Sequence, residues 1–466
     1  MNCPSVAESR CEPFDVVVAG GGMAGIAAAI AAGRSGAKTL LVEKAGWLGG
    51  MGITGATGLH TFYNVFDPVP GAPRMKLVEG IAQELVDRVK QLGGGLGERG
   101  HIRIERGGDF VSMLTTVEPE TFKLAAFQLC QEAGVRLLLH TVLDEVRAAD
   151  GHIDGLVVWN KAGRSLIRAK QYVDCTGDGD LAAYAGAKSE TYKPGDPGAY
   201  AAGFTFRLCN IDLQAAEADL ESRGLIRHIA HALKPGMTSP ELVRISLHVD
   251  KLQQPEDEKV LEYFFACSLR PREFTYCNCI NYGPNDGLDP DALTNAEISL
   301  RRRIFAVAEV FRKRVKGFQE CYVAGPAPSA GQRRGRTIHC EYELTQEDCT
   351  EARRFEDEIG IYGFIDNHWF SVKDAGAYGL PYRALIPRGL SNALIAGRMM
   401  TVDLVAHNST RNTVCCLICG QAAGTAAAMA AAKGIAPRQL EAQELRRKLA
   451  RDGVLLEPRL EPLDCS

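Results

Sequence analysis

Residues 14–44 read FDVVVAGGGMAGIAAAIAAGRSGAKTLLVEK, and this stretch indicates the fold of the chain. It begins with a β-branched run, Val16 to Val18, which is typical of a buried parallel strand. A glycine turn follows, and then an alanine-rich helix is predicted over Met23 to Arg34. Thr39 to Val42 predicts a second strand, which ends at Glu43. This order predicts a dinucleotide-binding βαβ unit.

The glycines of this stretch form the pattern GxGxxG, at Gly20, Gly22 and Gly25. The first permits the turn, the second lets the backbone approach a pyrophosphate, and the third lets helix and strand pack closely. The N-terminal amides of the helix then face the phosphates. Glu43 has roughly the spacing of an acid that binds an adenosine ribose. A glycine turn in another kind of βα unit would lack this context of strand, helix and acid.

The composition limits what the rest of the chain can be. With 466 residues the chain exceeds one ordinary core, so two domains are expected. It is 46% hydrophobic and 24% charged, and its net charge of -4 gives no general attraction for nucleic acid or anionic lipid. The first residues carry no export signal, and we expect no membrane span.

Fifteen cysteines are scattered along the chain, mostly in apolar or helical surroundings. This favours buried thiols in a reducing compartment, and hence a cytoplasmic protein. Cys277 and Cys279 form CxC, and residues 415–419 form CCxxC, but neither motif has a second ligand cluster. We therefore predict no metal site.

Further glycine-rich stretches suggest more places where backbone approaches the same ligand. Residues 46–58 hold six glycines together with large apolar side chains. His60 follows them and could be catalytic, a flavin attachment point or simply packed. The strand that ends at Asp174 to Thr176 leads into a second glycine turn at 177–179. Arg74 to Leu92 predicts an amphipathic helix, and the glycines at 93–95 look like its terminator and not like another nucleotide site.

Four separated motifs together resemble the FAD-dependent oxidoreductase family of two-domain flavoproteins, within the glutathione-reductase-like and fumarate-reductase-like superfamily. The motifs are VVVAGGGMAGIAAAIAAGRSGAKTLLVEK (16–44) with LGGMGITG (48–55), DCTGDGDLAAYAGA (174–187), GQRRGRTIHCEYELT (331–345) and IAGRMMTVDLVAHNSTRNTVCCLICGQAAGTAAA (395–428). They extend over nearly the whole chain, so the resemblance does not depend on one fingerprint.

The resemblance implies an α/β fold with a Rossmann-like, glutathione-reductase-like FAD-binding domain that is split in sequence. Residues 1–188 would form its first part and residues 374–466 its C-terminal part with a terminal helix. Residues 189–373, where alanine and glycine become rarer and aromatic residues appear, would form an inserted α+β substrate or capping domain.

The resemblance also assigns cofactor-binding residues. Gly20, Gly22 and Gly25 would hold the pyrophosphate, and Glu43 the adenosine ribose. The helix that begins near Arg411 would direct its positive end at the flavin pyrimidine edge, where a reduced flavin carries negative charge. The rest of the predicted set borders these groups: Met23, Ala24, Lys44, Gly50, Met51, Val142, Thr176, Gly177, Asp178, Gly397, Arg398, Gly420 and Ala423. Within it, Val142 would contact the adenine, and Gly420 and Ala423 would let the late helix pack closely.

On the substrate side the resemblance indicates His368, Arg411, Arg336 and Arg333. A histidine could donate or accept a proton beside a hydride transfer, and an arginine could bind a carboxylate with two hydrogen bonds. Alternatively, Arg333 and Arg336 form salt bridges between domains and His368 is a satisfied loop residue. Relatives often carry an acid between the two arginines, where this chain has Arg334.

The predicted activity is transfer of a hydride between flavin N5 and a small organic substrate that carries a carboxylate or carbonyl. No second GxGxxG follows a strand, so electrons would be exchanged with oxygen, a quinone, a separate reductase or a transiently bound nicotinamide. A tRNA-modifying flavoprotein and a flavin-binding partner protein without its own turnover are the alternatives. No nucleic-acid partner is expected, and a homo-oligomer is possible.

Overall fold

The structure, a computed structural model, describes residues 7–8, 13–54, 58–106, 111–252, 260–326, 328–366 and 370–461. The α-helices in chain order are α1 (Met23–Arg34), α2 (Met51–Thr54), α3 (Ile81–Gln91), α4 (Pro119–Glu132), α5 (Asp180–Tyr184), α6 (Leu213–Ser222), α7 (Pro290–Arg314), α8 (Gln346–Thr350), α9 (Leu404–Thr410), α10 (Thr413–Lys433) and α11 (Ala442–Arg451).

The strands in chain order are β1 (Ala7–Glu8), β2 (Phe14–Ala19), β3 (Thr39–Val42), β4 (Met75–Lys76), β5 (His101–Arg103), β6 (Met113–Thr115), β7 (Arg136–Leu138), β8 (Val142–Ala149), β9 (His152–Asn160), β10 (Gly163–Ile167), β11 (Ala169–Asp174), β12 (Ser189–Thr191), β13 (Ala201–Cys209), β14 (Ile226–Ala232), β15 (Glu241–Leu247), β16 (Phe265–Cys267), β17 (Glu273–Pro284), β18 (Tyr322–Pro326), β19 (Arg336–Ile338), β20 (Glu358–Tyr362), β21 (Tyr378–Pro381), β22 (Ala393–Ile395) and β23 (Arg459–Leu460).

A five-stranded parallel sheet lies at the centre of the first and last parts of the chain, in the order β22-β11-β2-β3-β7. The β-branched run at 16–18 in β2 is fully buried, because helices and neighbouring strands cover both faces of a parallel sheet. The predicted helix at 23–34 and the predicted strand at 39–42 are confirmed with the same bounds. The mixed α/β fold with a parallel sheet is therefore confirmed.

The carboxyl ends of three neighbouring strands of this sheet lie side by side. Asp174 at the end of β11 is in register with Ala19 of β2 and with Ile395 of β22. Each strand is followed within three residues by a glycine with positive φ: Gly20, Gly177 and Gly397. Ligands of open α/β sheets bind in the crevice outside such carboxyl ends.

Helices α1 and α10 pack against each other and run in the same direction. A Cβ added to Gly420 would lie 2.1 Å from the Ala24 carbonyl oxygen, and one added to Gly424 would lie 2.0 Å from that of Ala28. The two glycines therefore let the helix backbones touch. Since both contacts advance by four residues along both helices, the two N-termini are at the same end.

By length and composition α10 could cross a membrane, and among the described helices it alone meets that test. However, 94% of its apolar stretch is buried, and it packs against α1, β2 and β11. The apolar composition of α10 is thus explained by its position inside the protein core.

A six-stranded antiparallel sheet forms the middle of the chain, in the order β14-β15-β16-β17-β13-β18. It has its own apolar core with α6 and α7, in which Phe311 packs 4.7 Å from Phe264 and 4.8 Å from Phe318 between ring centroids. The division of the chain at residues 188 and 373 stays a prediction.

The predicted helix over Arg74 to Leu92 is wrong in its first part. Met75 and Lys76 pair with Leu460 and Arg459 in a two-stranded sheet, and the helix α3 begins only at Ile81. Gly80 adopts a φ of 68°, which lies in the left-handed region and interrupts a right-handed helix.

All twelve described cysteines are free thiols, and all but Cys209 are buried. They behave as small apolar side chains of the interior.

Candidate functional site

The three glycines of the first turn have different surroundings. Gly20 has a φ of 98°, and a Cβ there would lie 2.4 Å from the Cys175 carbonyl oxygen. A Cβ on Gly25 would lie 1.8 Å from the Gly20 carbonyl oxygen. At Gly22 no described atom lies within 4 Å of the Cβ position. The fold therefore requires Gly20 and Gly25, whereas Gly22 keeps space open for a ligand.

The second turn is held by the buried carboxylate of Asp174. One oxygen accepts from the Thr176 amide at 3.0 Å and from its hydroxyl at 2.8 Å, and the other accepts from the Ala182 amide at 2.8 Å. Burial raises the pKa of Asp174 to about 6, although these hydrogen bonds by themselves would lower it. Asp174 thus fixes the backbone between β11 and α5, where Gly177 lies.

The guanidinium of Arg398 lies over this second turn. A Cβ on Gly177 would lie 2.6 Å from Arg398 Nη1, and Arg398 Nη2 donates to the Asp178 carboxylate at 2.9 Å. Arg336 supports the same turn from another strand, since it donates to the Asp178 carbonyl oxygen at 3.0 Å and to Asp180 at 2.9 Å. Side chains from β19 and from the loop after β22 therefore both hold the turn after β11 in place.

Glu43 holds the end of the first βαβ unit together. Its carboxylate accepts from the backbone amides of Gly21 at 2.6 Å and Ala45 at 2.7 Å, and its carbonyl oxygen accepts from Thr141 N at 3.0 Å. Val142, the next residue, has an exposed side chain. A carboxylate has about four acceptor positions, so two remain for ribose hydroxyls. Lys44 is exposed beside it.

The N-termini of α1 and α10 both open into one cleft. No side chain caps the amides of α1 or of α10, and neither helix has an acidic residue in its first turn. The Asn412 amide group instead donates back to the carbonyl oxygens of Asn408 and Ser409. Each helix end carries roughly half a positive charge, and two parallel ends together favour an anion between them.

This cleft contains about 1280 Å³ of empty space, including the part open to solvent. One wall is formed by the glycine turns and the two helix ends, and the other by the six-stranded sheet. The predicted site residues on the lining are Gly22, Met23, Ala24, Met51, Gly177, Gly397, Arg398, Arg333 and Arg411.

Charged side chains collect at the end of the cleft beside the six-stranded sheet. Arg244 from β15, Arg333 from the loop before β19 and Arg411 at the end of α9 line it together with Asp366 and His60. Arg411 Nη2 donates to the Asp366 carboxylate. Arg333 donates to the carbonyl oxygen of residue 201 at 2.7 Å. At this end of the cleft, three permanent positive charges thus face one carboxylate among the described lining residues, and Arg398 lies on the lining beside the second glycine turn.

The electrostatics of this end favour an ionised Asp366 and a neutral His60. Burial by itself would raise the pKa of Asp366, but Arg411, His60 and Arg333 outweigh it and hold that pKa below its usual value. Burial, together with the charges of Arg244 and Arg411, lowers the pKa of His60 to about 4, although Asp366 opposes the shift.

Comparison with known protein families identifies the chain. The family described as FAD dependent oxidoreductase matches residues 15–449, which is most of the chain. The chain belongs to this family. Its cofactor is therefore FAD, and the protein is an FAD-dependent oxidoreductase. Whether it belongs with the glutathione-reductase-like or the fumarate-reductase-like proteins stays a prediction.

Solved structures that resemble this FAD-dependent oxidoreductase have low sequence identity. A geranylgeranyl bacteriochlorophyll reductase-like protein from Thermoplasma acidophilum is 13% identical, with 97% of this chain and 85% of that chain covered and a TM-score of 0.46. A flavoprotein/dehydrogenase from Cytophaga hutchinsonii is 12% identical, covers 94% and 84%, and has a TM-score of 0.47. These scores carry no conclusion about function. No curated protein matches the sequence.

The residues of the cleft fit FAD. The open space at Gly22 would take a pyrophosphate beside the free amides of α1, as the sequence predicts. The free amides of α10 would lie near the flavin, where they would stabilise a negative charge. FAD supplies a group that accepts or donates two electrons, and the chain contributes its orientation and the surrounding charges.

The structure places several predicted residues away from the cleft lining. Arg336 is bound to Asp178 and Asp180, so its geometry gives no support for direct contact with a substrate. Gly420 is occupied by its contact with α1, and Ala423 is buried in α10. Cofactor contacts of these two residues stay predictions. His368 lies outside the described residues.

Arg334, which lies between the two predicted arginines, has a structural position. Its guanidinium carbon lies 3.9 Å from the centroid of the Tyr192 ring, and it donates to the Tyr192 hydroxyl at 2.8 Å and to the Val402 carbonyl oxygen at 3.1 Å. Burial lowers the pKa of Arg334. It therefore links β12 to the loop before α9.

Arg244, Phe265 and Asn278 line the cleft and were not predicted from the sequence. All three lie on strands of the six-stranded sheet, whose pairing brings them to the same end of the cleft. One signal was present, because Arg244 lies between apolar residues of the strand ELVRISL and is 5% exposed. A charge inside a buried strand usually has a specific partner or function.

Proposed function

We propose that this FAD-dependent oxidoreductase transfers a hydride between the flavin and a small organic substrate that carries a carboxylate or a carbonyl. The observation that supports this most is the excess of positive charge at the sheet end of the cleft. Arg244, Arg333 and Arg411 line it with one carboxylate, Asp366, among the described lining residues. Such a charge distribution attracts an anionic substrate.

The surroundings of these arginines strengthen the argument. Arg244 is 5% exposed and packs 5.1 Å from the Phe265 ring centroid, and the Arg411 side chain is 15% exposed. Guanidinium groups out of water are costly unless they are paired, and carboxylates pair with them through two hydrogen bonds. A substrate carboxylate would pair with Arg333, whose guanidinium lines the cleft.

The apolar surfaces beside the arginines suit the reacting carbon of a small substrate. Phe265 and Phe364 both line this end of the cleft, and water is displaced from such surfaces when a ligand binds. The arginines would bind the anionic group of the substrate, and the phenylalanine rings beside them would hold its carbon skeleton against the flavin.

We also propose that residues 1–188 and 374–466 form the FAD-binding domain and that residues 189–373 cover the substrate. Two features support this division: the strands of the parallel sheet come from 14–174 and 393–395, and the six-stranded sheet comes from 201–326. Oxygen, a quinone or a separate reductase is the proposed electron partner, and the cytoplasm the proposed location.

Binding of a simple carboxylate tests the substrate class. Benzoate titrated into the FAD-loaded protein should perturb the flavin absorbance, whereas the neutral amide benzamide should not. Arg333→Met should weaken benzoate binding about 10-fold to 100-fold, because it removes a hydrogen bond to a charged group. Arg302→Met, on the exposed side of α7, is the matched control. Equal affinities for benzoate and benzamide would exclude an anion site.

Reoxidation of the flavin distinguishes the electron partners. The protein is photoreduced without oxygen, air is admitted, and the flavin absorbance is followed. Rapid reoxidation with release of peroxide would identify an oxidase. Slow reoxidation would direct the search to quinones and partner reductases. A flavin that exchanges electrons with no small donor or acceptor would favour the flavin-binding partner protein.

A further inference from the structure

We propose that the imidazole of His60 is the proton-transfer group of this cleft: it takes up a proton when the flavin is reduced and releases it on reoxidation. The inference rests on the proposed function, because it requires the reacting part of the flavin to lie in the cleft that His60 lines. It names a residue whose role the sequence left open between catalysis, flavin attachment and packing.

His60 is held in place at the cleft by its backbone. The Tyr362 hydroxyl donates to the His60 carbonyl oxygen at 2.6 Å and accepts from the Thr61 amide at 3.1 Å. Tyr362 is fully buried, so this anchor is rigid. The imidazole lies 5.9 Å from the Phe364 ring between centroids. Its position is therefore set by the core and does not depend on a mobile side chain.

One ring nitrogen of His60 is buried without a hydrogen-bond partner among the described residues. Nδ1 is buried, and among the described residues nothing donates to it or accepts from it. A buried polar atom without a partner costs roughly 1–3 kcal/mol in ordinary structures, so such atoms usually serve a ligand or a reaction. Since His60 lines the cleft, a group bound there would supply that partner.

The other titratable groups of the lining cannot exchange a proton near neutral pH. Arginines stay protonated. Asp366 is paired with Arg411 and its pKa is held low. Burial raises the pKa of Cys175 well above its usual value and that of Cys416 to about 12, so both thiols stay protonated. Among the described lining residues, His60 alone has a proton affinity that a nearby charge can move across pH 7.

The charges that face His60 determine when it binds a proton. Burial and the charges of Arg244 and Arg411 lower the pKa of His60 to about 4 and keep the imidazole neutral, whereas the Asp366 carboxylate opposes this shift. A unit negative charge about 4 Å away, at an effective dielectric constant of about 20, would raise its proton affinity roughly a thousandfold. A reduced flavin or a bound substrate anion supplies such a charge.

The step balances in atoms and electrons. In the oxidative direction the C–H bond of a substrate alcohol or amine breaks, and its electron pair leaves with the hydrogen to FAD, the oxidant. The O–H or N–H proton moves to the lone pair of His60. The C–O or C–N bond becomes double, and the substrate has lost two electrons and two hydrogens. In the reductive direction His60 returns the proton.

The pH dependence of the flavin midpoint potential tests this without a substrate. Each proton taken up with two electrons changes the equilibrium constant tenfold per pH unit, which is about 30 mV. Between pH 5 and about 6, where the pKa of His60 is about 4 before reduction and would be about 7 after it, the FAD-loaded wild type should take up two protons, with a slope of about -60 mV per pH unit. His60→Gln should take up one, with a slope of about -30 mV per pH unit. His152→Gln, on the surface at the start of β9, should keep the wild-type slope.

Two results would overturn the inference: a wild-type slope of about -30 mV per pH unit throughout, or His60→Gln with the same slope as the wild type. If His60→Gln does not fold, His60→Asn replaces it. The slope of the wild type can still overturn the inference without any variant. The benzoate titration is a separate measurement. Loss of benzoate binding with the expected slopes would refute the substrate class and leave the role of His60 standing.

Discussion

Substitution of Gly22 separates folding from cofactor binding. Gly22 has a φ of -73° and a ψ of -171°, which other residues adopt readily, and no described atom lies within 4 Å of its Cβ position. Alanine at a helix N-cap lowers the free energy of unfolding by roughly 0.5–1 kcal/mol relative to better capping residues. Replacing glycine also reduces the conformational freedom of the unfolded chain, which raises the free energy of unfolding by about 0.4–1 kcal/mol. Gly22→Ala should therefore change the free energy of unfolding of the FAD-free protein by less than about 1 kcal/mol.

The same Cβ would stand where the pyrophosphate approaches α1. A phosphate moved away from the helix amides loses at least one hydrogen bond to a charged group, worth about 1.5–3 kcal/mol. Gly22→Ala should thus weaken FAD binding at least about 10-fold. In Gly22→Val two further carbons enter the cleft, and affinity should fall by more than about 100-fold.

The assay strips FAD from each variant and follows the quenching of flavin fluorescence on readdition, with thermal unfolding of the FAD-free protein measured in parallel. Gly283→Val, at an exposed glycine with open space around its Cβ position, is the matched control and should bind FAD normally. Gly25→Ala should destabilise the fold itself, because its Cβ would meet the Gly20 carbonyl oxygen at 1.8 Å. Gly22→Val with wild-type affinity would refute the placement of the pyrophosphate at α1.

Three further outcomes are expected. Gly424→Ala should lower the free energy of unfolding in urea by about 1–3 kcal/mol, because its Cβ would lie 2.0 Å from the Ala28 carbonyl oxygen and force α1 and α10 apart; an unchanged midpoint would contradict the close packing. Arg411→Ala should keep FAD but lower its midpoint potential by about 20–45 mV, which corresponds to 1–2 kcal/mol of lost stabilisation of the reduced form, whereas Arg411→Lys should largely retain it. As the pH falls from 6.5 to about 4, the free energy of unfolding of the wild type should decrease by up to roughly 3 kcal/mol more than that of His60→Gln. The reason is that the imidazole protonates near pH 6.5 in the unfolded chain and near pH 4 in the folded one. Chemical denaturation at a series of pH values checks this, and above pH 6.5 the difference should vanish.

The local parts of the fold were predictable where one short stretch contains every determinant. The bounds of α1 and β3 follow from the run of small apolar residues and from the β-branched strand, which need no distant contact. The start of α3 was not predictable in this way. The apolar spacing of 78, 81, 85 and 89 continues across Gly80, and only the pairing of β4 with β23 shows that the helix begins after it.

The candidate site was likewise predictable only where neighbouring residues determine it. Glycine patterns predicted the wall of the cleft at Gly22, Gly177 and Gly397, because a missing side chain is visible directly in the sequence. The opposite wall was mostly missed: Arg244 and Asn278 lie on strands of ordinary composition. Their meeting with Arg411 depends on the order of the six-stranded sheet and on its position against the parallel sheet.

The sequence by itself determined that this chain forms a parallel α/β unit with a dinucleotide turn, since the residues that specify the unit are neighbours within 31 positions. Only the tertiary structure decided that Arg336 supports the second turn whereas Arg333 lines the cleft, although they are only three positions apart in the sequence. It also decided that α1 and α10 bring two N-termini together and that His60 faces Arg244, Arg411 and Asp366. Charge and proton affinity at a site depend on distances between residues far apart in the chain, and sequence spacing does not contain those distances.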